Sequence, residues 1–326
     1  PVALFAIAPG FSNIPGQMER ASELARIAFP YLFFISLVSL QSGVLNALDR
    51  FAAAAATPIL LNLTLITAVL FALSSGMDAS VALAWGVALA GVIQFAWLAW
   101  RVRVAGMPLG LVRPRLSPRV RQLLIRILPV VFGASLYQLN LLIDKIIATL
   151  VSVGAVSWLY FADRVNQLPL GVIGVGIGVA LLPMLSRSIQ NDNPEEALRA
   201  QNRAIEISLV LTLPAAVGLL VLAHPIAAAL YERGAFTVSD RQAVGAALAA
   251  LAAGLPAYVL IKALVPGFFG RQDTATPVKI SAVAMIVNIA LNLILMRSLG
   301  HVGIALATAI SAWLNAGLLG VVLVRR

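Results

Sequence analysis

Nine runs of mostly apolar residues, each long enough for a helix to cross a bilayer and joined by short polar connections, dominate this chain. They lie near 27–48, 55–74, 81–100, 123–149, 157–186, 204–224, 242–264, 277–296 and 302–324. About 20 apolar residues in a helix match the hydrocarbon thickness, and a helix satisfies every backbone amide within the segment, as lipid demands. Water-soluble domains carry roughly 25% charged residues. Here 11% are charged, 61% are hydrophobic and the mean hydropathy is +0.97. The 326 residues are therefore expected to form an all-α, polytopic membrane protein.

The 23 Lys and Arg against 13 Asp and Glu give a net charge of +10, and their positions decide what that charge means. Connections at 49–54, 101–122, 187–203, 265–279 and 325–326 hold 14 basic residues, whereas those at 1–25, 75–80, 150–156, 225–241 and 297–301 hold 4. Short cytoplasmic loops are enriched in Lys and Arg, so the first set faces the cytoplasm. The charge is then a topology signal, and a nucleic-acid partner is excluded. Without cysteine, and with only His224 and His301, the chain offers no thiolate zinc site, Fe–S cluster or His-based metal centre. No Ser/His/Asp set or pair of catalytic carboxylates stands out, so no enzymatic activity is expected. The run Gly171 to Gly178 sits inside an apolar span between Pro169 and Pro183, where close helix packing and bending fit better than a nucleotide loop.

At 187–203, Asn193 and Pro194 make an N-cap and first-turn pair, with Glu195 and Glu196 at the positive helix end, predicting an interfacial helix. A weak internal repeat relates the stretch from Asn46 through Thr57-Pro58 to Ala82-Leu83-Ala84 to the stretch from Gly267 through Thr276-Pro277 to Ala305-Leu306-Ala307. The offsets are 219 at the Thr-Pro pair and 223 at the Ala-Leu-Ala run. Six spans separate the copies, so both point the same way, a parallel repeat of the kind found in secondary transporters. Three spans precede the second copy that have no counterparts before residue 27. With no signal-peptide pattern behind Pro1, the chain is expected to be a segment of a longer protein lacking about three N-terminal helices.

Ionisable residues inside spans are costly and mark candidate sites. Asp163 and Arg164 lie about two turns into a span; either the pair snorkels to water, or Arg164 faces an aqueous cavity and holds an anionic substrate, a guanidinium being able to grip phosphate bidentately, with Asp163 orienting or neutralising it. Asp144 and Lys145 are deep in another span and, as helix neighbours about 100° apart, need separate partners. For Asp144 the spacing suggests Asn288 and Asn292 on one face of a later helix, with Thr308 and the carbonyl of Ile304 on the next. These oxygens suit Na⁺ or a proton; the alternative is that the Asn and Thr groups only join helices. Lys262, a turn before Pro266, either snorkels or lines a cavity. Arg271, Gln272 and Asp273 either build a turn ahead of Thr276-Pro277 or act at a gate.

Several strings together are similar to one family. Ala8-Pro9-Gly10-Phe11, Phe29-Pro30-Tyr31, Leu45-Asn46 with Arg50-Phe51, Val156-Ser157-Trp158 with Tyr160 to Arg164, and Leu181-Leu182-Pro183 with Leu185-Ser186 contribute. The most specific are Glu232-Arg233-Gly234-Ala235-Phe236-Thr237 and Pro266-Gly267-Phe268 through Arg271-Gln272-Asp273 to Thr276-Pro277-Val278-Lys279. Over nearly its whole length the chain resembles the MurJ/MviN family of lipid II flippases. The resemblance implies a fold of the MOP exporter type, with two six-helix lobes around a cationic cavity and two further helices that form a groove for the lipid tail. Residues 1–101 would be the second half of the N-terminal lobe, 102–122 a basic cytoplasmic linker and 123–326 the C-terminal lobe. The chain would begin just before the fourth helix and stop after the twelfth, without the family's basic residues on the first helix and the following loop. On its own it is expected not to flip substrate. Arg164 matches the family's Arg on the eighth helix, and Asp163, Lys262 and Arg271 join it as candidate substrate contacts. The resemblance further implies a monomer in the bacterial inner membrane, acting on an anionic lipid-linked substrate among membrane lipids, with no cofactor beyond Na⁺ or H⁺ coupling. A related MOP exporter of drugs or other lipid-linked oligosaccharides is the alternative.

Overall fold

The structure is a computed structural model that describes residues 2–107, 118, 121, 138–175, 194–271 and 273–325. Among these residues all regular structure is helical, and seven stretches are long and apolar enough to cross a membrane: Gln17–Ala47, Phe51–Ser75, Ala79–Val104, Leu198–Val221, Val238–Phe269, Ala275–Leu299 and His301–Val324. The chain is therefore a multi-pass membrane protein. The expected spans at 123–149 and 157–186 lie partly outside the described residues, as do Asn193, Gln272 and Gly176 to Pro183. The chain divides into two compact units, with residues 11–121 in the first and 122–326 in the second.

In the first unit, α1 (Gln17–Ala28) runs into α2 (Pro30–Ala47), followed by α3 (Thr57–Ser75) and α4 (Ala79–Val104). α4 packs against both α2 and α3, and two glycines permit the approach. A Cβ at Gly91 would lie 2.9 Å from the Tyr31 ring, and one at Gly86 would lie 2.9 Å from Ala68 Cβ. Val38, Leu45, Leu98 and Val102 fill the seam between α2 and α4. The turn from α2 to α3 is held by side chains of α4: Trp97 Nε1 donates to the Ala53 carbonyl at 3.1 Å and Gln94 Nε2 to that of Thr57 at 2.8 Å. Asp78 caps α4 by accepting from the Ser80 amide, and Arg20 pairs with it at 2.5 Å.

The second unit contains α5 (138–151), α6 (Ala155–Pro169), α7 (Pro194–Val221), α8 (Ala223–Tyr231), α9 (Val238–Ala252), α10 (Leu255–Phe269), α11 (Ala275–Leu299) and α12 (His301–Val324). Small residues build its core: Val244, Ala247, Leu248 and Leu251 of α9 meet Ala162 and Val165 of α6, Ala223 and Ala227 of α8 and Ala305 of α12. Lipid tails are as apolar as leucine, so close backbone approach rather than hydrophobic exclusion holds membrane helices together. The α11–α12 hairpin turns at Gly300, where φ is +57°, and closes so tightly that a Cβ on Gly303 would sit 2.4 Å from the Leu295 carbonyl oxygen. α2, α3 and α4 share their connectivity with α10, α11 and α12: a helix with proline in its first turn, a Thr-Pro helix, and a last helix packed on both.

One local expectation changes and another gains detail. The helix beginning at Pro194 is not a separate interfacial segment, because it continues unbroken to Val221. Its charged first turns, with Arg199 paired to Glu195 and Arg203 beside Glu206, extend a helix whose later turns are apolar, and nothing in 197–203 breaks it. In the described part of the expected span at 157–186, the α-helix runs to Pro169 and Leu170–Val175 continues as a wider π-helical turn. Proline removes a backbone donor, and such turns absorb the mismatch.

Candidate functional site

Among the described residues of the second unit, polar side chains gather in two places, one around α5 and the other on α6. The first gathers around Asp144 on α5. Asn292 Nδ2 donates to Asp144 Oδ1 at 2.6 Å and to Asn288 Oδ1 at 3.0 Å. Asn288 Nδ2 donates to Ser311 Oγ at 3.2 Å, and that hydroxyl donates to the Ala307 carbonyl at 2.7 Å. Thr308 Oγ1 lies 3.5 Å from Asp144 Oδ2 and donates to the Ile304 carbonyl at 3.0 Å. Each partner comes from helical spacing: Asn288 and Asn292 share one stripe of α11, and Ile304, Thr308 and Ser311 share the facing stripe of α12. Asn288 and Asn292 are 1% and 0% exposed, and Asn292 Oδ1 is buried without a partner. Five residues singled out from the sequence, Asp144, Asn288, Asn292, Ile304 and Thr308, thus converge in one place. Ser311 was missed, although its position three residues after Thr308 on an alanine-rich stripe was a readable signal.

A buried orphan oxygen beside a carboxylate, an amide oxygen, a hydroxyl and a backbone carbonyl is an all-oxygen donor set. It fits a hard monovalent cation or a proton and offers nothing soft enough for a thiophilic metal.

The second group occupies the exposed side of α6. Arg164 donates to Tyr160 Oη at 2.8 Å, and its guanidinium carbon lies 4.8 Å from the Tyr160 ring centroid. Asp163 does not form an ion pair with Arg164. Its carboxylate accepts from Gln167, one turn on, while remaining in the field of both Arg164 and Lys145. Adjacent helix positions diverge by about 100°, so Asp163 neutralises Arg164 only through space. Tyr160, Arg164 and Gln167 recur at i, i+4 and i+7, a pattern that could have singled out the tyrosine and glutamine.

Lys262 is exposed on α10, and its stem runs over Gly174, where a Cβ would be 2.8 Å from Lys262 Cδ. Arg271 donates to the Gly267 carbonyl at 3.2 Å, closing the last turn of α10. Asp273 accepts from the Thr276 amide at 3.0 Å and from its hydroxyl at 2.6 Å, opening α11. Among the described residues, neither Lys262 nor Arg271 hydrogen-bonds to the Arg164 group.

A family model described as lipid II flippase MurJ matches residues 3–326. The probable lipid II flippase MurJ of Rhizobium tropici is 46% identical over 325 residues, which are 99% of this chain and 61% of that protein. A solved structure of lipid II flippase MurJ in an inward closed conformation superposes with a TM-score of 0.82 at 25% identity, over 95% of this chain and 64% of that one. An inward-facing multidrug resistance MATE family transporter of the MOP superfamily superposes with a TM-score of 0.81 at 18% identity, over 99% of this chain and 75% of that one, and so shares the fold. The chain spans about three fifths of the length of the curated relatives it matches.

Proposed function

We propose, from the premise that this chain belongs to the MurJ family of lipid II flippases, that it is the greater part of a carrier for a lipid-linked peptidoglycan precursor. The polar head, bearing a pyrophosphate, moves from the cytoplasmic to the outer leaflet of a bacterial inner membrane while the polyprenyl tail stays in lipid. The observation that carries this reading is the family match along residues 3–326. The exposed Arg164 on α6 supports it, because a guanidinium steadied by Tyr160 suits an anionic head and repels the cationic substrates of a drug exporter. The protein acts as a monomer and without catalysis, by alternating access about a midplane site.

Arg164 is the residue we assign to the pyrophosphate. Lys145 adds positive field on the same unit, and Asp163 limits that field so that substrate is released. Lys262 and Arg271 contribute charge near the cytoplasmic entrance rather than direct contacts. The coupling ion we assign to Asp144, Asn288, Asn292, Thr308 and the Ile304 carbonyl is Na⁺ or a proton. When bound there it cancels the carboxylate charge in a low-dielectric setting. Moving one charge across the membrane is worth about 2.3 kcal/mol per 100 mV, enough to bias a carrier's cycle.

The test is complementation of cells depleted of their lipid II flippase, using the whole protein that contains this chain. Rescue is expected, with Arg164→Ala lowering substrate affinity about tenfold or more, as loss of a charged hydrogen bond does. No rescue by the parent overturns the substrate assignment, and full rescue by Arg164→Ala overturns that residue's role. For the ion, Na⁺ or pH dependence of thermal stability is expected to vanish in Asp144→Asn; persistence counts against the site.

A further inference from the structure

α8 and the first turns of α9 enclose an open groove of about 620 Å³, lined by His224, Pro225, Ala228, Arg241, Gln242 and Ala246. α8 begins two residues after α7 ends at Val221, and Arg241 stands in the first turn of the apolar stretch Val238–Phe269. The groove therefore lies where membrane spans meet the headgroup layer, on the extracytoplasmic side by the count of basic loop residues. Its chemistry is mixed. Arg241 Nη1 donates to Glu232 Oε2 at 3.0 Å, both side chains being about one third exposed at 32% and 28%. Among the described residues the Arg241 side chain makes no other hydrogen bond, so most of its five N–H donors stay free. His224 is seated against Gly245, where a Cβ would fall 2.7 Å from the imidazole Cδ2. Pro225, Ala228 and Ala246 supply a small-residue apolar floor.

A guanidinium and a carboxylate 3.0 Å apart carry no net charge. Such a pair gains little from a net anion and does not suit a multiply charged pyrophosphate, but it complements a head that bears a phosphate and an ammonium side by side. We propose that this groove binds a zwitterionic, amine-bearing glycerophospholipid of the extracytoplasmic leaflet, of the ethanolamine type. Its phosphodiester meets Arg241, His224 and Gln242, its ammonium donates to Glu232, and the start of an acyl chain lies on the Pro225, Ala228 and Ala246 floor. Headgroup phosphates are plentiful at this depth, and charge-assisted hydrogen bonds of both signs are directional enough to select among them. The assignment is independent of the carried substrate.

The experiment reconstitutes the whole protein in nanodiscs of phosphatidylcholine containing equal small fractions of phosphatidylethanolamine and phosphatidylglycerol, and identifies retained lipid by native mass spectrometry. Phosphatidylethanolamine is expected to be retained over both others. Glu232→Gln and Arg241→Gln should each reduce that preference about tenfold, the loss of one charged hydrogen bond. Because Arg241→Gln also releases the tie between α8 and α9, Ala228→Phe, which fills the groove and leaves the ion pair intact, is the second variant and should remove the retained lipid. Equal or stronger retention of phosphatidylglycerol overturns the proposal. So does a preference that survives Glu232→Gln and Ala228→Phe, or displacement of the lipid by millimolar inorganic phosphate, which would mark a free-anion site.

Discussion

Single atoms decide how closely these helices approach. Gly303 faces the Leu295 carbonyl at a distance no Cβ tolerates, whereas Gly317, on the same helix, has nothing within 4 Å. Gly303→Ala is expected to destabilise the α11–α12 hairpin by about 1–3 kcal/mol. Gly317→Ala should be neutral or stabilising by up to about 1 kcal/mol. Thermal unfolding of the two variants in one detergent checks this, and equal shifts would argue against the tight crossing. Asn292 bridges Asp144 and Asn288, so Asn292→Ala should cost about 1 kcal/mol, in line with polar contacts between membrane helices. A double-mutant cycle with Asp144→Asn should show coupling; strict additivity would mean that the two side chains do not interact.

Helix ends carry the next set of determinants. Thr237 and Asp240 close a capping box at the start of α9, an alanine-rich, largely buried helix of the second unit. Thr237→Ala should lower stability by about 1 kcal/mol, visible as a reduced Tm, while Thr237→Ser should retain it. Asp78 caps α4 more simply, its carboxylate accepting from the Ser80 amide. Its carboxyl is held below the ordinary carboxylate range chiefly by the Ser80 amide, with Arg20 adding attraction. A lowered folded value means that the stabilisation is present above the ordinary value of about 4 and is lost as pH falls through the lower folded value. The Tm gap between the parent and Asp78→Ala should therefore be widest near neutrality and close on acidification. A gap unchanged at about pH 2 would tie the effect to something other than charge.

The molecule as a whole takes its orientation from where its basic residues lie. With fourteen in one set of connections and four in the other, residues 187–203 are expected to face the cytoplasm and 225–241 the outside. The chain contains no cysteine, so a single introduced one reports without background from this segment. Ala235→Cys should react with a membrane-impermeant thiol reagent added from outside the inner membrane, and Arg199→Cys only after permeabilisation. The opposite pattern would invert the topology and the direction of transport proposed above.

The spans among the described residues and the Thr-Pro hairpins were legible in the sequence because apolar length and helix-start chemistry belong to single segments. The stripe of Asn288 and Asn292 and the turn of Thr308 were legible for the same reason, being spaced by one helical turn. Packing alone revealed that Asn288 leans on Ser311, that Asp163 turns to Gln167 instead of Arg164, that the Lys262 stem crosses Gly174, and that His224 and Arg241 share a groove. Local periodicity says which residues share a face. It does not say which face meets which, because between helices in lipid that choice rests on atom-scale fit and on polar groups from distant parts of the chain, such as Asp144 and Asn292, finding one another.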